Sequence, residues 1–312
     1  MTRTFNTRMV FRTMGALLLI EAVFMTLALG VSLWYGEADS GIFLLSTIIT
    51  LLAGVIGLMV GRRAESRMGE REGYVIVAMV WVVFSAFGLL PYYLSGQVNS
   101  ITDAWFESMS GFTTTGATII PDLNVITHGL LFWRSLTQWI GGMGIIVLSI
   151  AILPIFGLNG MQLYAAEVSG LTYEKVSPRI ADTAKMMWSI YVLLTASEVV
   201  ALWLCGMDLF DAVCHSFSTI ATGGFSTKNN SLEFYDSAAI HYTVTFFMFV
   251  SGINFVMLIY LLRGKAKNFL RDEEVRWYSA AVAVFAVALT LGLYIARPGW
   301  SAIEMERAFR DS

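Results

Sequence analysis

The 312-residue sequence predicts an all-α polytopic membrane protein with about seven spanning helices. Three observations carry that expectation. Hydrophobic residues make up 56% of the chain and charged residues only 14%, against about 25% in a typical soluble domain. The apolar residues fall in blocks of about 20, enough to cross a hydrocarbon core of roughly 30 Å as helix. Lysine and arginine collect on one side of those blocks, the pattern of cytoplasmic loops.

The apolar runs lie near residues 12–35, 42–60, 74–95, 129–153, 186–206, 239–262 and 277–296. Arg3, Arg8 and Arg12 precede the first run, which superficially looks like a secretory signal. A signal has an apolar core of only about 7 to 15 residues, so this run is expected to persist as the first spanning helix. Arg62, Arg63, Arg67 and Arg71 follow the second run, and Lys175, Arg179 and Lys185 follow the fourth. Arg263, Lys265, Lys267, Arg271 and Arg276 follow the sixth, so that 15 of the 20 basic residues share one side. Opposite them, segments 36–41 and 96–128 have none, 207–238 has Lys228, and the tail has Arg297, Arg307 and Arg310. The N-terminus is therefore expected in the cytoplasm.

Two outer segments are too polar to span, and they repeat each other. Asp103-Ala104-Trp105-Phe106-Glu107-Ser108-Met109-Ser110 aligns with Asp211-Ala212-Val213-Cys214-His215-Ser216-Phe217-Ser218. At the same offset, 108 residues, Thr114-Thr115-Gly116 aligns with Thr222-Gly223-Gly224. Each copy reads as spanning helix, short helix, Thr/Gly turn, spanning helix, which is a duplicated hairpin with a re-entrant loop. The expected organisation is a two-helix N-terminal extension over 1–72, a first helix/pore-loop/helix repeat over 73–183, a second over 184–273, and the start of a third over 274–312. Ala308 to Ser312 aligns with Ala104 to Ser108 and Ala212 to Ser216. That match leads us to expect a C-terminally incomplete protein, the alternative being a chance match over five positions.

Non-helical backbone at membrane depth leaves carbonyls without helical partners, at a cost of several kcal/mol per group unless protein, water or an ion satisfies them. Glycine permits the positive backbone angles that turn carbonyls toward one axis, and threonine adds an uncharged hydroxyl oxygen. Such oxygens can replace the hydration shell of an alkali cation, as carbonyl rings do in potassium channels. Asp103, Glu107, Asp122, Asp208, Asp211, Glu233 and Asp236 flank the two loops against Lys228 alone. Each carboxylate singly is explained by loop solvation; the collective excess reads as an acidic mouth that concentrates cations.

The residues Glu107-Ser108-Met109-Ser110-Gly111-Phe112-Thr113-Thr114-Thr115-Gly116-Ala117-Thr118 open a motif. Phe132-Trp133-Arg134-Ser135-Leu136-Thr137-Gln138-Trp139-Ile140-Gly141-Gly142-Met143-Gly144 continues it. Met161-Gln162-Leu163-Tyr164 and Ser218-Thr219-Ile220-Ala221-Thr222-Gly223-Gly224-Phe225-Ser226 complete it. Together they resemble the Trk/Ktr/HKT potassium transporters, most closely the bacterial TrkH group. The resemblance implies potassium uptake across a bacterial inner membrane by a homodimer, each subunit having four such repeats after two extra helices. It implies a filter of Thr113, Thr114, Thr115 and Gly116 with Ala221, Thr222, Gly223 and Gly224 around the ion. It also implies a cytoplasmic nucleotide-binding regulatory partner of the TrkA type. Plant relatives with serine in place of the first-loop glycine carry sodium, so Gly116 favours potassium. Repeats three and four, and the gating loop of the third, are missing apart from one helix and a few residues. This polypeptide alone is therefore expected to be inactive unless another chain supplies the other half of the filter.

Charged residues inside spanning segments are functional candidates by default. Arg134 is expected to snorkel or to brace a pore helix in preference to repelling ions, Glu198 to pair with a polar neighbour, and Glu21 to be structural. Gly141, Gly142 and Gly144 lie in an apolar run with no GxxxxGK[ST] anywhere in the chain, so they read as packing residues. Gly57 and Gly61 read as ordinary helix contact. His128, His215 and His241 have no metal-ligand spacing, and Cys205 and Cys214 read as free thiols. Neither an enzyme nor a cofactor nor a nucleic-acid partner is indicated. Energy would come from an ion gradient, as in symport, from the membrane potential, or through the nucleotide-regulated partner. Two other readings stay open: a sodium or sodium-coupled solute transporter with broken helices, and a non-transporting structural subunit.

Overall fold

The computed structural model describes residues 5–63, 70–144 and 180–296. Its helices are α1 (Thr7–Tyr35), α2 (Ser40–Val60), α3 (Glu70–Gly88), α4 (Leu90–Leu94), α5 (Ile101–Phe112) and α6 (His128–Gly142). They continue as α7 (Ile180–Leu204), α8 (Leu209–Ile220), α9 (Ala238–Ser251), α10 (Phe255–Leu262), α11 (Ala266–Arg271) and α12 (Glu273–Ala296). Among the described residues, 5 helical segments are long and apolar enough to cross a membrane, and the pair α9 and α10 makes a sixth if it counts as one span. The fourth expected span begins at α6, whose continuation lies beyond the described residues. Arg3, Arg67, Lys175, Arg179, the Met161 to Tyr164 motif and the Ala308 to Ser312 match also lie outside them. The architecture is the multi-pass helical one that hydropathy predicts.

The run 239–262 departs from a single straight helix. Between α9 and α10 the chain bends by 103°. At Gly252 the Tyr278 hydroxyl lies where a Cβ would stand, so a larger residue there would displace that ring. The Asn254 side chain restarts the helix by accepting from the Val256 N–H at 3.0 Å, an N-cap in place of a continued ladder. Hydropathy does not register this break because both halves remain apolar. The run 74–95 also changes helix at Leu89, where Pro91 enters the first turn of α4, the place its missing N–H is tolerated.

α1 and α2 pack backbone to backbone through Gly15, Gly54 and Gly57, while Gly61 lies against Arg12. Close approach of this kind substitutes for a hydrophobic driving force where the solvent is lipid. Leu51, Leu52, Ile56 and Met59 on α2, and Val284, Phe285 and Val287 on α12, face outward as a lipid-exposed surface would.

α6 is the central element, with Gly129 to Gln138 buried throughout. Its N-terminus is held by the corner between α1 and α2. Glu37 accepts from the N–H groups of His128 and Gly129 at 2.8 and 3.0 Å and contacts His128 Nδ1 at 2.8 Å. Asp39 accepts from the hydroxyls of Ser32 and Thr127. Two carboxylates at a helix N-terminus complement its dipole, and Glu37 satisfies two amides that the helix leaves free. At the next turns, Trp133 Nε1 donates to the Gly88 carbonyl at 3.0 Å.

Candidate cation site

The two Thr/Gly loops follow two 12-residue helices, α5 and α8. Each begins with a side-chain cap: Ser100 accepts from the Asp103 N–H at 3.4 Å, and Asp208 from the Phe210 N–H at 2.9 Å. Asp103 and Asp211 lie in the first turns, where negative charge is favoured. Both helices point their C-terminal, electronegative ends at the loops.

Their ends are built alike. In the first, the Thr113, Thr114 and Thr115 N–H groups donate to the carbonyls of Met109, Gly111 and Ser110. In the second, Ala221, Thr222 and Gly223 donate to Phe217, Thr219 and Ser218. These crossed 6→1 and 5→2 bonds require a left-handed residue at the turn, usually glycine. Here threonine takes it: φ is 52° at Thr114 and 55° at Thr222. A β-branched residue of that hand is strained by about 1 to 2 kcal/mol, and Gly116 and Gly224 follow with φ of 75° and 86°. The 108-residue sequence offset thus recurs in the backbone, strain included.

The loops meet each other. A Cβ on Gly116 would overlap the Gly223 carbonyl oxygen. α6 backs both: Gly141 lies against the Phe112 carbonyl, Gly142 against Ala221, and Gly223 against the Gln138 amide. Gln138 Oε1 accepts from Ser218 Oγ at 2.8 Å and from the Phe225 N–H at 3.1 Å, which pins the second loop on both sides of its Thr/Gly turn. The glycines expected to serve helix packing therefore pack against the loops themselves. Gln138 was not singled out from sequence, although an amide within an apolar run was the available signal.

Arg134 does not snorkel. Its side chain is 1% exposed, and its Nε donates to Glu107 Oε1 at 2.8 Å. Its other nitrogens donate to the Ser226 carbonyl and the Thr118 hydroxyl, and its guanidinium lies 4.2 Å from the Phe225 ring centre. Glu107 also accepts from the Thr118 hydroxyl and the Ile119 N–H. One buried ion pair thus ties both loops together just beyond their turns. In the second copy, Asp211 holds Lys228, Thr227 and Tyr235 at 2.7 to 2.9 Å. Farther out, Asn229 bridges the loops by accepting from the Leu123 N–H and donating to Asp122.

These contacts correct the acidic-mouth expectation in part. Glu107 is fully buried and paired, and Asp211 is buried against Lys228, so both brace the loops and neither is a free surface charge. A cavity of about 320 Å³ borders Thr222, Gly223 and Gly224 together with His215, Ser218 and Thr219. An open groove runs beside Thr113 and Thr115. Apolar side chains, among them Phe225, Leu232, Val244 and Met248, share the lining of the cavity with the Thr, Ser and Gly residues, whose oxygens are neutral and of the class that takes a hard monovalent cation.

The family model of the TrkH cation transport proteins matches residues 39–294. The chain is 44% identical over 290 residues to the Trk system potassium uptake protein TrkH of Salmonella typhimurium, covering 92% of this chain and 60% of that protein. It is 34% identical over 278 residues to the Trk system potassium uptake protein TrkG of Escherichia coli, covering 88% and 57%. The crystal structure of the potassium transporter TrkH from Vibrio parahaemolyticus superposes with a TM-score of 0.84 at 35% identity, over 98% of this chain and 62% of that one. The chain spans about 60% of the length of the curated relatives it matches. With the family model covering most of its residues, the chain belongs to the TrkH family of cation transport proteins.

Proposed function

We propose that the chain is the translocating subunit of a Trk-type potassium uptake system, a transporter and not an enzyme. One observation carries the reading: two pore helices with matching strained ends meet at Gly116 and Gly223. Backbone of alternating hand turns consecutive carbonyls to one side, so Thr113, Thr114, Thr115 and Gly116 with Ala221, Thr222, Gly223 and Gly224 would supply the oxygens that replace water around the ion. Two loops make only part of a ring, and the proposal calls for further loops of the same kind in the complete assembly. The division into an extension over 1–72, repeats over 73–183 and 184–273, and a third unit opening at 274 belongs to the same reading.

The relatives named above are potassium uptake proteins, which favours potassium over the sodium or sodium-coupled alternative. The positive-inside bias supports a cytoplasmic N-terminus in a bacterial inner membrane. A homodimer and a nucleotide-binding partner of the TrkA type, docking on the basic loops, complete the proposal; potassium is cargo and no cofactor is needed. The test is potassium-limited growth of an uptake-deficient bacterium with the wild-type gene, Gly116→Ser and Gly224→Ser. Rescue by wild type and loss with either variant supports the reading. Rescue unchanged by both variants would leave a structural subunit, and sodium-dependent solute uptake would favour the other alternative.

A further inference from the structure

Glu21 on α1 and Glu198 on α7 are fully buried carboxyls that pair with no cation among the described residues. Glu198 approaches the Thr219 side chain but makes no hydrogen bond of good geometry, short of the pairing expected of it. Glu21 has a closer counterpart. A Cβ on Gly88 of α3 would stand 2.7 Å from Ser108 Oγ of α5 and 3.3 Å from Glu21 Oε1, so those two oxygens border one point where three helices meet. Ser108 is also fully buried, and neither its hydroxyl nor the Glu21 carboxyl meets a hydrogen-bond partner elsewhere among the described residues. Buried polar groups are seldom left in that condition, and the group nearest to hand for each is the other.

Their chemistry is complementary. A carboxyl in an apolar interior with no cation beside it is held as the neutral acid. It then has one O–H to donate and an oxygen to accept, as a serine hydroxyl also has. Ser108 sits beside Glu107, which ties α5 to Arg134 of α6, and one turn before Phe112, whose ring meets Phe84 and Trp133 edge-on. Toward α3, the polar contact that α5 makes is a weak one, from Ser85 Oγ to Met109 Sδ at 3.4 Å. α1 also reaches α6 next to Gln138, where Phe24 meets the Trp139 ring at 6.2 Å.

We propose that the Glu21 carboxyl hydrogen-bonds to Ser108 and so positions the first pore helix, and with it Thr113 to Gly116, against the second loop. Glu21 touches no ion; it is a positioning residue that acts through α5. The inference rests on the transport reading above. It gives the two-helix extension a part in ion affinity, because a cation site weakens when its oxygens lose their common spacing.

The experiment is rubidium uptake by a potassium-uptake-deficient bacterium expressing the full-length protein, with rates normalised to membrane abundance by immunoblot. Glu21→Leu and Ser108→Ala should each raise the half-saturating concentration about fivefold, the factor one hydrogen bond is worth, with the maximal rate unchanged. The double variant should be no worse than either single one. Glu21→Gln, which keeps a donor and an acceptor, should match wild type. A carboxyl that only fills space would lower abundance or maximal rate and leave the half-saturating concentration alone, which overturns the inference. Additive single effects, or a defect in Glu21→Gln equal to that in Glu21→Leu, overturn it too. Should Glu21→Leu fail to reach the membrane, a raised value in Ser108→Ala beside an unchanged Glu21→Gln supports the inference, and any other pairing overturns it. Absence of any wild-type uptake would instead overturn the transport reading, and this inference with it.

Discussion

Gly116 lies so close to the carbonyl oxygen of Gly223 that the two Thr/Gly loops, 108 residues apart in sequence, touch without a side chain between them. Gly116→Ala meets both that oxygen and a left-handed backbone. At Gly224 a Cβ would find nothing within 4 Å among the described residues, so Gly224→Ala faces only the backbone strain, about 1 kcal/mol. Uptake should therefore fall at least tenfold further in Gly116→Ala than in Gly224→Ala, at equal membrane abundance. Equal defects would mean that loop contact is not what requires Gly116.

The Glu107 and Arg134 pair spans both loops, and removing one partner leaves a buried charge, a loss of about 3 to 5 kcal/mol. Glu107→Ala and Arg134→Ala should each lower the melting temperature of the detergent-purified protein strongly, and the double variant should be less unstable than their sum. Arg134→Lys should behave as a loss, because an ammonium cannot reach Glu107, Ser226 and Thr118 together. Additive single effects would show the network to be independent contacts.

Gln138→Leu removes the acceptor that Ser218 and the Phe225 N–H share, orphaning two buried donors at about 1 to 3 kcal/mol each. Gln138→Glu keeps the acceptor. Ion affinity should drop in the first and largely survive in the second, measured as the half-saturating concentration for rubidium uptake. The opposite ranking would show that the amide N–H matters and the oxygen does not.

Glu37 sits in the corner between α1 and α2, outside the spanning segments. Partial burial would raise its carboxyl, but hydrogen bonds from His128 and Gly129 outweigh burial and hold it below the usual glutamate range. A carboxyl lowered by folding stabilises the native state above its unfolded value and loses that contribution as pH falls through its folded value. Thermal stability should therefore decline below about pH 4.5, and Glu37→Gln should flatten that limb. A wild-type acid limb retained in Glu37→Gln would assign it to another group.

Much of this molecule is legible in one dimension. Spanning segments are set by contiguous apolar length, and duplication by Asp103 to Ser110 matching Asp211 to Ser218. Both are local properties of the chain in a low-dielectric solvent where helices must satisfy their own backbone. Even the odd turns at Thr114 and Thr222 are foreshadowed by a 108-residue offset, since equivalent hydrogen-bond patterns need equivalent local sequence.

Contacts across the chain were settled only by folding. Whether Arg134 reaches water or Glu107, whether Gly141 and Gly142 meet another helix or the loops, and where the α9–α10 run breaks depend on what lies opposite each residue. A buried polar group is governed by its partners, and those of Arg134 stand 16, 27 and 92 residues away along the chain. Hydropathy and periodicity hold no record of such distances, so the bilayer and the local code dictate the helices while packing alone decides how two loops face one another.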